Sequence, residues 1–390
     1  MKQQSFSERL DAVSPSRLQR VHGESFVFDF SPLGEPFVMT QRHRAAMERL
    51  IEARSPIPAM LRAMLNDRLQ ELAASPDSRD LLAKVWKTSG VDAVQVTLGG
   101  IELSPSDWDA VVRDAAHWVG RVRASDDMRI CTTAAELTHA FNDGKVGIVL
   151  GLQDAAPIGK DLERINTLYN FGVRVVQLTF NTRNFLGDGC TEREQSRLSK
   201  FGIEVVRRFN ELGIIVDVSH SGYATTLDAI ETSERPVAIT HSSCQAVAAH
   251  PRAKSDEQLR ALRDRDGYFG VLVVPFFVSP GGGANLEIIV RHVAHAANIV
   301  GVERVGIATD WGGWSPDFPH EIQQMARAQL ASHGFSQSEM PAFGETIPGF
   351  GSWEEWPSLT KALLAHGFSD AEVAGLIGGN WLTFMRRCGL

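Results

Sequence analysis

No Cys-x-x-Cys pair occurs anywhere in the 390-residue chain. Its four cysteines, Cys131, Cys190, Cys244 and Cys388, lie far apart. That spacing points to neither a structural zinc knuckle nor a disulfide framework. Long basic blocks are also missing, and 39 Lys and Arg against 47 Asp and Glu leave a formal charge of −8. A phosphate-tracking surface for nucleic acid is therefore not expected. No apolar run approaches the roughly 18–20 residues of a membrane span. The opening stretch, "MKQQSFSERLDAVSPSRLQR", lacks the apolar core of a secretion signal. A cytoplasmic protein with free thiols, without a membrane partner, is the expectation. No strand-like run is followed by Gly-x-Gly-x-x-Gly, which removes support for dinucleotide binding. Internal repeats and low-complexity linkers are absent too.

What is present is regular. Eight short apolar runs occur: "SFVFDF" (25–30), "VDAVQVTLGG" (91–100), "VGIVLGLQD" (146–154), "VRVVQLTFN" (173–181), "IIVDVSH" (214–220), "PVAITH" (236–241), "YFGVLVVPFF" (268–277) and "RVGIATD" (304–310). Each is followed by a segment of helical character. Continuous apolar strands alternating with helices predict a parallel sheet buried on both faces. Eight units predict a (β/α)8 TIM-like barrel, with a doubly wound open sheet as the alternative. Residues 1–24 read as an N-terminal arm, and residues 25–390 as one barrel with C-terminal helices. The stretch 311–356, rich in Gly, Pro, Phe and Trp, reads as a long loop over one end. Within it Trp311, Trp314 and Phe318 either wall a substrate or anchor the loop.

Two of the runs finish on histidine, His220 and His241, and the eighth finishes on Asp310. In a closed barrel the C-terminal strand ends share one face, where active sites lie. Two neutral imidazoles and a carboxylate there suit Zn²⁺ or another divalent ion that activates water. The same histidines also suit acid, base or hydrogen-bond work without metal. After the fourth run, "NTRNFLGDGCTERE" is the most chemically dense loop of the chain and is expected to overhang the pocket. Cys190 within it reads as a structural thiol rather than a nucleophile.

"VDVSH", "AITHSSCQAVAAHPR", "GIATDWGG" and the terminal "WPSLTKALLAHGFSDAEVAGLIGGNWL" resemble the membrane dipeptidase (renal dipeptidase, peptidase M19) family, from about Phe26 onward. The resemblance implies a barrel of the metal-dependent amidohydrolase type, usually dimeric, that hydrolyses dipeptides at a dizinc site. By position, His220 and His241 match the two histidines of one zinc. Asp310 matches the catalytic aspartate of the eighth strand. Arg252 matches the arginine that holds the substrate carboxylate, and it is expected at the rim of the pocket.

The chain departs from that pattern where the other zinc would sit. The family's first strand ends in Asp-Gly-His-x-Asp. Here Asp29 matches the first aspartate, but the two ligand positions fall on Ser31 and Leu33. The bridging glutamate falls on Gln153, and a substrate-facing histidine falls on Phe180. The expectation is a divergent hydrolase with at most one ion, held by His220, His241 and Asp310, and no dizinc site. Catalysis is assigned to Asp310, His220 and His241. Substrate binding is assigned to Arg252, Gln153, Phe180, Asn181 and Arg183. The substrate class is a small carboxylate-bearing amide or amino-acid derivative, and ordinary dipeptides should turn over weakly. Two alternatives are a non-catalytic small-molecule-binding relative and a lyase or isomerase using the histidines as acid and base.

Overall fold

Ten strands organise the computed structural model, which describes residues 4–32, 34–36, 40–55, 60, 63, 71–72, 75–99, 107–124, 126–310, 324, 327–328, 331–332, 334–336, 340 and 345–390. They are β1 (Phe28–Phe30), β2 (Ala93–Thr97), β3 (Met128–Ile130), β4 (Val146–Leu152), β5 (Val173–Gln177), β6 (Ile215–Asp217), β7 (Ala238–Cys244), β8 (Ala253–Lys254), β9 (Tyr268–Leu272) and β10 (Val305–Ala308). Eight of them run parallel in the order β1-β2-β4-β5-β6-β7-β9-β10. The seam between first and last is made by the Asp310 N–H, which donates to the Phe30 carbonyl at 3.0 Å. Beside it the Asp29 carboxylate accepts both the backbone N–H (2.7 Å) and the hydroxyl (2.6 Å) of Thr309. The fold is a (β/α)8 TIM-like barrel.

The eight predicted runs are the eight barrel strands. The other two are additions to them: β3 lies along β4, and β8 pairs with the extended end of β7. Alternation along each strand sends one set of side chains into the barrel and the other outward. Phe28, Phe30, Val175, Tyr268 and Ala308 join Trp381 of the helix Asn380–Arg387 in one buried cluster. Gly306 is required there, because a Cβ on it would lie 1.7 Å from the Tyr268 hydroxyl. Val94, Ile148, Val216 and Ile307 belong instead to the larger cluster shared with the surrounding helices.

Local signals set the helix ends. Gly213 stops the helix Lys200–Leu212 in the left-handed region at φ 80°. Gly367 ends Trp356–His366 at φ 116°, and Ser369 then opens Asp370–Ala374 with a capping box. The N-terminal segment forms two helices, Phe6–Ala12 and Pro15–Glu24. They dock on the C-terminal ones: Arg9 Nε donates to the Ala365 carbonyl (3.1 Å), and His22 Nδ1 meets Thr360 Oγ1 (2.8 Å). Trp311, Trp314 and Phe318 lie outside the described residues. Among the described residues no helix is long and apolar enough to cross a membrane.

Candidate active site

His220 follows β6 by three residues, and His241 lies inside β7. Both are buried, and their Nε2 atoms stand 2.9 Å apart with the ring planes at 62°. The outer nitrogen of each ring is tied down. His220 Nδ1 lies 2.7 Å from Asn181 Oδ1, and His241 Nδ1 lies 2.8 Å from Thr240 Oγ1. Asn181 Oδ1 also receives the Cys190 thiol at 3.6 Å, so its carbonyl side faces the ring. His220 is thereby a donor through Nδ1, and it presents a lone pair at Nε2. Phe180 stacks on the same ring, with centroids 4.4 Å apart at 20°. The expected substrate-facing position therefore holds an apolar wall.

The loop above this ring is a clasp. The Cys190 N–H donates to the His220 carbonyl (2.8 Å), and Gly189 bridges Ser221. A Cβ on Gly189 would fall 2.1 Å from the Asn181 carbonyl oxygen, an approach only glycine permits. Arg183, one of the expected substrate-binding groups, is exposed and is engaged within the loop. Its guanidinium reaches Asp188 at 2.5 and 3.0 Å. Asn184 crosses to Asp154 and to the Leu178 carbonyl, both at 2.8 Å. Asp154 is thus occupied by the clasp.

Arg252 is not at the rim. It is fully buried, because the chain after β7 folds back and adds β8 alongside it. Its guanidinium donates to the Ser219 carbonyl, and to the His241 carbonyl at 3.0 Å. Its Nε–H has no partner among the described residues. Two residues on, Lys254 is also buried, and its ammonium donates to the Ser221 carbonyl (2.7 Å) and Thr226 Oγ1 (3.1 Å). Burial, then the Arg252 charge, pushes Lys254 down to about 7. Burial, then Arg252 and Lys254, holds His241 well below the usual imidazole range, so the ring is neutral.

Asp310 stands at the end of β10 with φ 52°, a left-handed conformation that costs an aspartate about 1 kcal/mol. Such strain is often retained at functional positions. Burial raises its carboxyl to about 7, against the Arg252 charge and a hydrogen bond from Gln153. Gln153 is fixed in turn, since Gln177 Nε2 donates to its carbonyl. Gln153, Asp310, Arg252, His241, His220 and Asn181 thus form a linked set at the C-terminal strand ends. Sequence reasoning did not single out Asp217, Ser219, Thr240 or Lys254. Only the motif "VDVSH" drew attention near the first two.

The donors do not fit two ions. Ser31 is buried, and its N–H donates to the Gln95 carbonyl (3.2 Å); its hydroxyl is no substitute for an imidazole ligand. Gln153 offers a neutral amide where a bridging carboxylate would be needed. Leu33 lies outside the described residues. Among the described residues no three His, Cys, Asp or Glu side chains converge to hold an ion. What the structure does supply is a convergent imidazole pair.

Comparison with known proteins agrees with this architecture. Residues 111–341 match the family model described as membrane dipeptidase (peptidase family M19). The chain is 28% identical over 267 residues to dipeptidase verJ of Clonostachys rogersoniana, a match covering 67% of this chain. It spans 61% of that relative, less than two thirds of its length. It is 27% identical over 308 residues to an uncharacterized dipeptidase of Schizosaccharomyces pombe, covering 72% of each. Among solved structures, an amidohydrolase from Pseudomonas aeruginosa superposes with a TM-score of 0.73 at 25% identity, over 96% of this chain and 99% of that one. The chain belongs to the membrane dipeptidase family, peptidase family M19.

Proposed function

We propose that this protein is a divergent dipeptidase-like hydrolase. Its substrate is a small carboxylate-bearing amide or amino-acid derivative, and it holds at most one divalent ion. The observation that carries the reading is the pair of buried imidazole nitrogens 2.9 Å apart, with Asp310 and Arg252 in the same linked set. His220 and His241 would hold the ion, and Asp310 would face it as the remaining charged group. A bound ion of this kind supplies an acidified water and polarises the amide carbonyl.

The chain's own groups do the rest. Ionised Asp310 accepts a proton from the attacking water and returns it to the leaving nitrogen, so that water is added across the C–N bond. Arg252 offers a buried positive charge, and an Nε–H without a partner among the described residues, to the substrate carboxylate. Gln153 holds Asp310 in place. Phe180 and Asn181 set the face of His220, and Arg183 acts at the pocket edge. No disulfide occurs among the described residues, which fits the reducing, cytoplasmic setting we assign. We assign residues 25–390 to one domain and, from the family, a homodimeric state.

Elemental analysis of the purified protein, joined to hydrolysis assays on dipeptides and N-acyl amino acids, tests the reading. One ion or fewer per chain is expected, with turnover confined to carboxylate-bearing amides. Two tightly held ions per chain would overturn it.

A further inference from the structure

We propose that Asp217 is a positioning residue that fixes the tautomer of His241 through the Thr240 hydroxyl, so that both histidines meet with lone pairs on Nε2. This rests on reading the pair as a cation site. Asp217 ends β6, three residues before His220, and is buried. Its carboxylate receives the Ser219 N–H (2.9 Å), the Ser219 hydroxyl (2.6 Å), the Thr240 N–H (3.2 Å) and the Thr240 hydroxyl (2.6 Å). Four donors and no acceptor around one carboxyl group match the ionised form, which has no proton to give.

The consequence is directional. Thr240 has a single hydroxyl hydrogen, and Asp217 Oδ2 takes it. Thr240 Oγ1 still lies 2.8 Å from His241 Nδ1. With its own hydrogen engaged, the hydroxyl oxygen can only accept there, so His241 Nδ1 must carry the N–H. Its Nε2 is then bare. On the other ring, Asn181 Oδ1 imposes the same tautomer on His220. At 2.9 Å, a hydrogen-bonding separation, two nitrogens that both lack a hydrogen repel unless a cation bonded to both lies beside them. Ser219 reinforces the arrangement: its hydroxyl donates to Asp217 and accepts the His241 N–H at 3.1 Å. One carboxylate thus orients both the backbone and the ring of His241, in the manner of outer groups that fix ligand histidines elsewhere.

The experiment has two readouts on the full chain. Histidine ring nitrogen NMR of metal-free protein reports which nitrogen bears hydrogen. Zn²⁺ affinity by competition with a chromophoric chelator reports the site itself. The variants are Thr240→Val, Thr240→Ser and Asp217→Asn. In wild-type protein both rings should be protonated at Nδ1. Thr240→Val should release the His241 tautomer and weaken Zn²⁺ by about 10–100-fold, whereas Thr240→Ser should retain both. In Asp217→Asn the amide can donate to Thr240 and reverse the chain, moving the His241 hydrogen to Nε2. If Asp217→Asn does not fold, the threonine pair still decides. A hydrogen on His241 Nε2 in wild-type protein, or unchanged tautomer and affinity in Thr240→Val, overturns the proposal. Failure of wild-type protein to bind Zn²⁺ overturns the reading of the histidine pair as a cation site instead, and the tautomer measurement still tests Asp217.

Discussion

Lys254 carries an enclosed ammonium group that donates to a backbone carbonyl and a hydroxyl. Burial holds its folded pKa at about 7, below the 10.5 of a free lysine. The folded state therefore binds the proton more weakly than the unfolded chain. Stability linked to this group is present above about 10.5 and is lost as pH falls toward 7. Lys254→Met should thus gain about 1–2 kcal/mol relative to wild type at pH 6.5. At pH 10 the gain should vanish, because there the neutral amine keeps its contacts at little cost. Urea denaturation at the two pH values measures this, and equal destabilisation at both would contradict it. Asp310 gives the complementary pH effect. Its carboxyl titrates near 7, so proton acceptance should bring kcat/KM up as pH rises through about 7. Asp310→Asn should lower kcat by roughly 100–10,000-fold. A pH-rate profile already flat from pH 5 upward would argue against that role. His220, His241 and Asp310 were legible because each stands at the end of an apolar run. Lys254 was not, since "HPRAKSDEQ" has the look of a solvated loop. Its burial depends on the pairing of β8 with β7.

At the scale of elements, the eight barrel strands were legible because strands covered on both faces must be apolar nearly throughout. The strands β3 and β8 were not. At three and two residues they are too short to show a period, and each exists only because a neighbouring strand offers an edge. That omission is also why Arg252 was expected at the rim. The helix caps at Gly213, Gly367 and Ser369 rest on local signals, which act over a few residues and need no tertiary context. The seam was invisible, since Asp29 and Thr309 are far apart in the chain and meet only when the barrel closes. Burial raises the Asp29 carboxyl to about 6, and the two Thr309 bonds oppose that rise. Thr309→Val would remove the hydroxyl and keep the side-chain shape. It should destabilise the fold by about 1–3 kcal/mol, as expected for a buried acceptor that loses a partner. Chemical denaturation measures the loss. A cost below about 0.5 kcal/mol would show that the seam is held by its backbone bond and side-chain packing alone.

For the whole molecule, family and chemistry are separate questions. The fold and the family model hold over most of the chain, while the groups that would make a second ion site are replaced. Ser31 leaves a hydroxyl where an imidazole is needed, and Gln153 leaves an amide where a negative bridge would offset two cations. Arg252 and Lys254 add buried positive charge beside His241, which further disfavours a second dication. On the proposed one-ion reading, no hydroxide bridged by two ions is available to attack a peptide carbonyl. The loss of that activation is worth several kcal/mol of barrier, or roughly a thousand-fold in rate. Hydrolysis of ordinary L,L- and L,D-dipeptides at saturating zinc should accordingly be very weak. Restoring the bridge alone, by Gln153→Glu, should not rescue it, because the first-strand ligand positions remain Ser31 and Leu33. Chromatographic assay of released amino acids over a dipeptide panel decides the matter. Robust turnover by the unmodified chain would mean that its remaining groups assemble a two-ion site by another route.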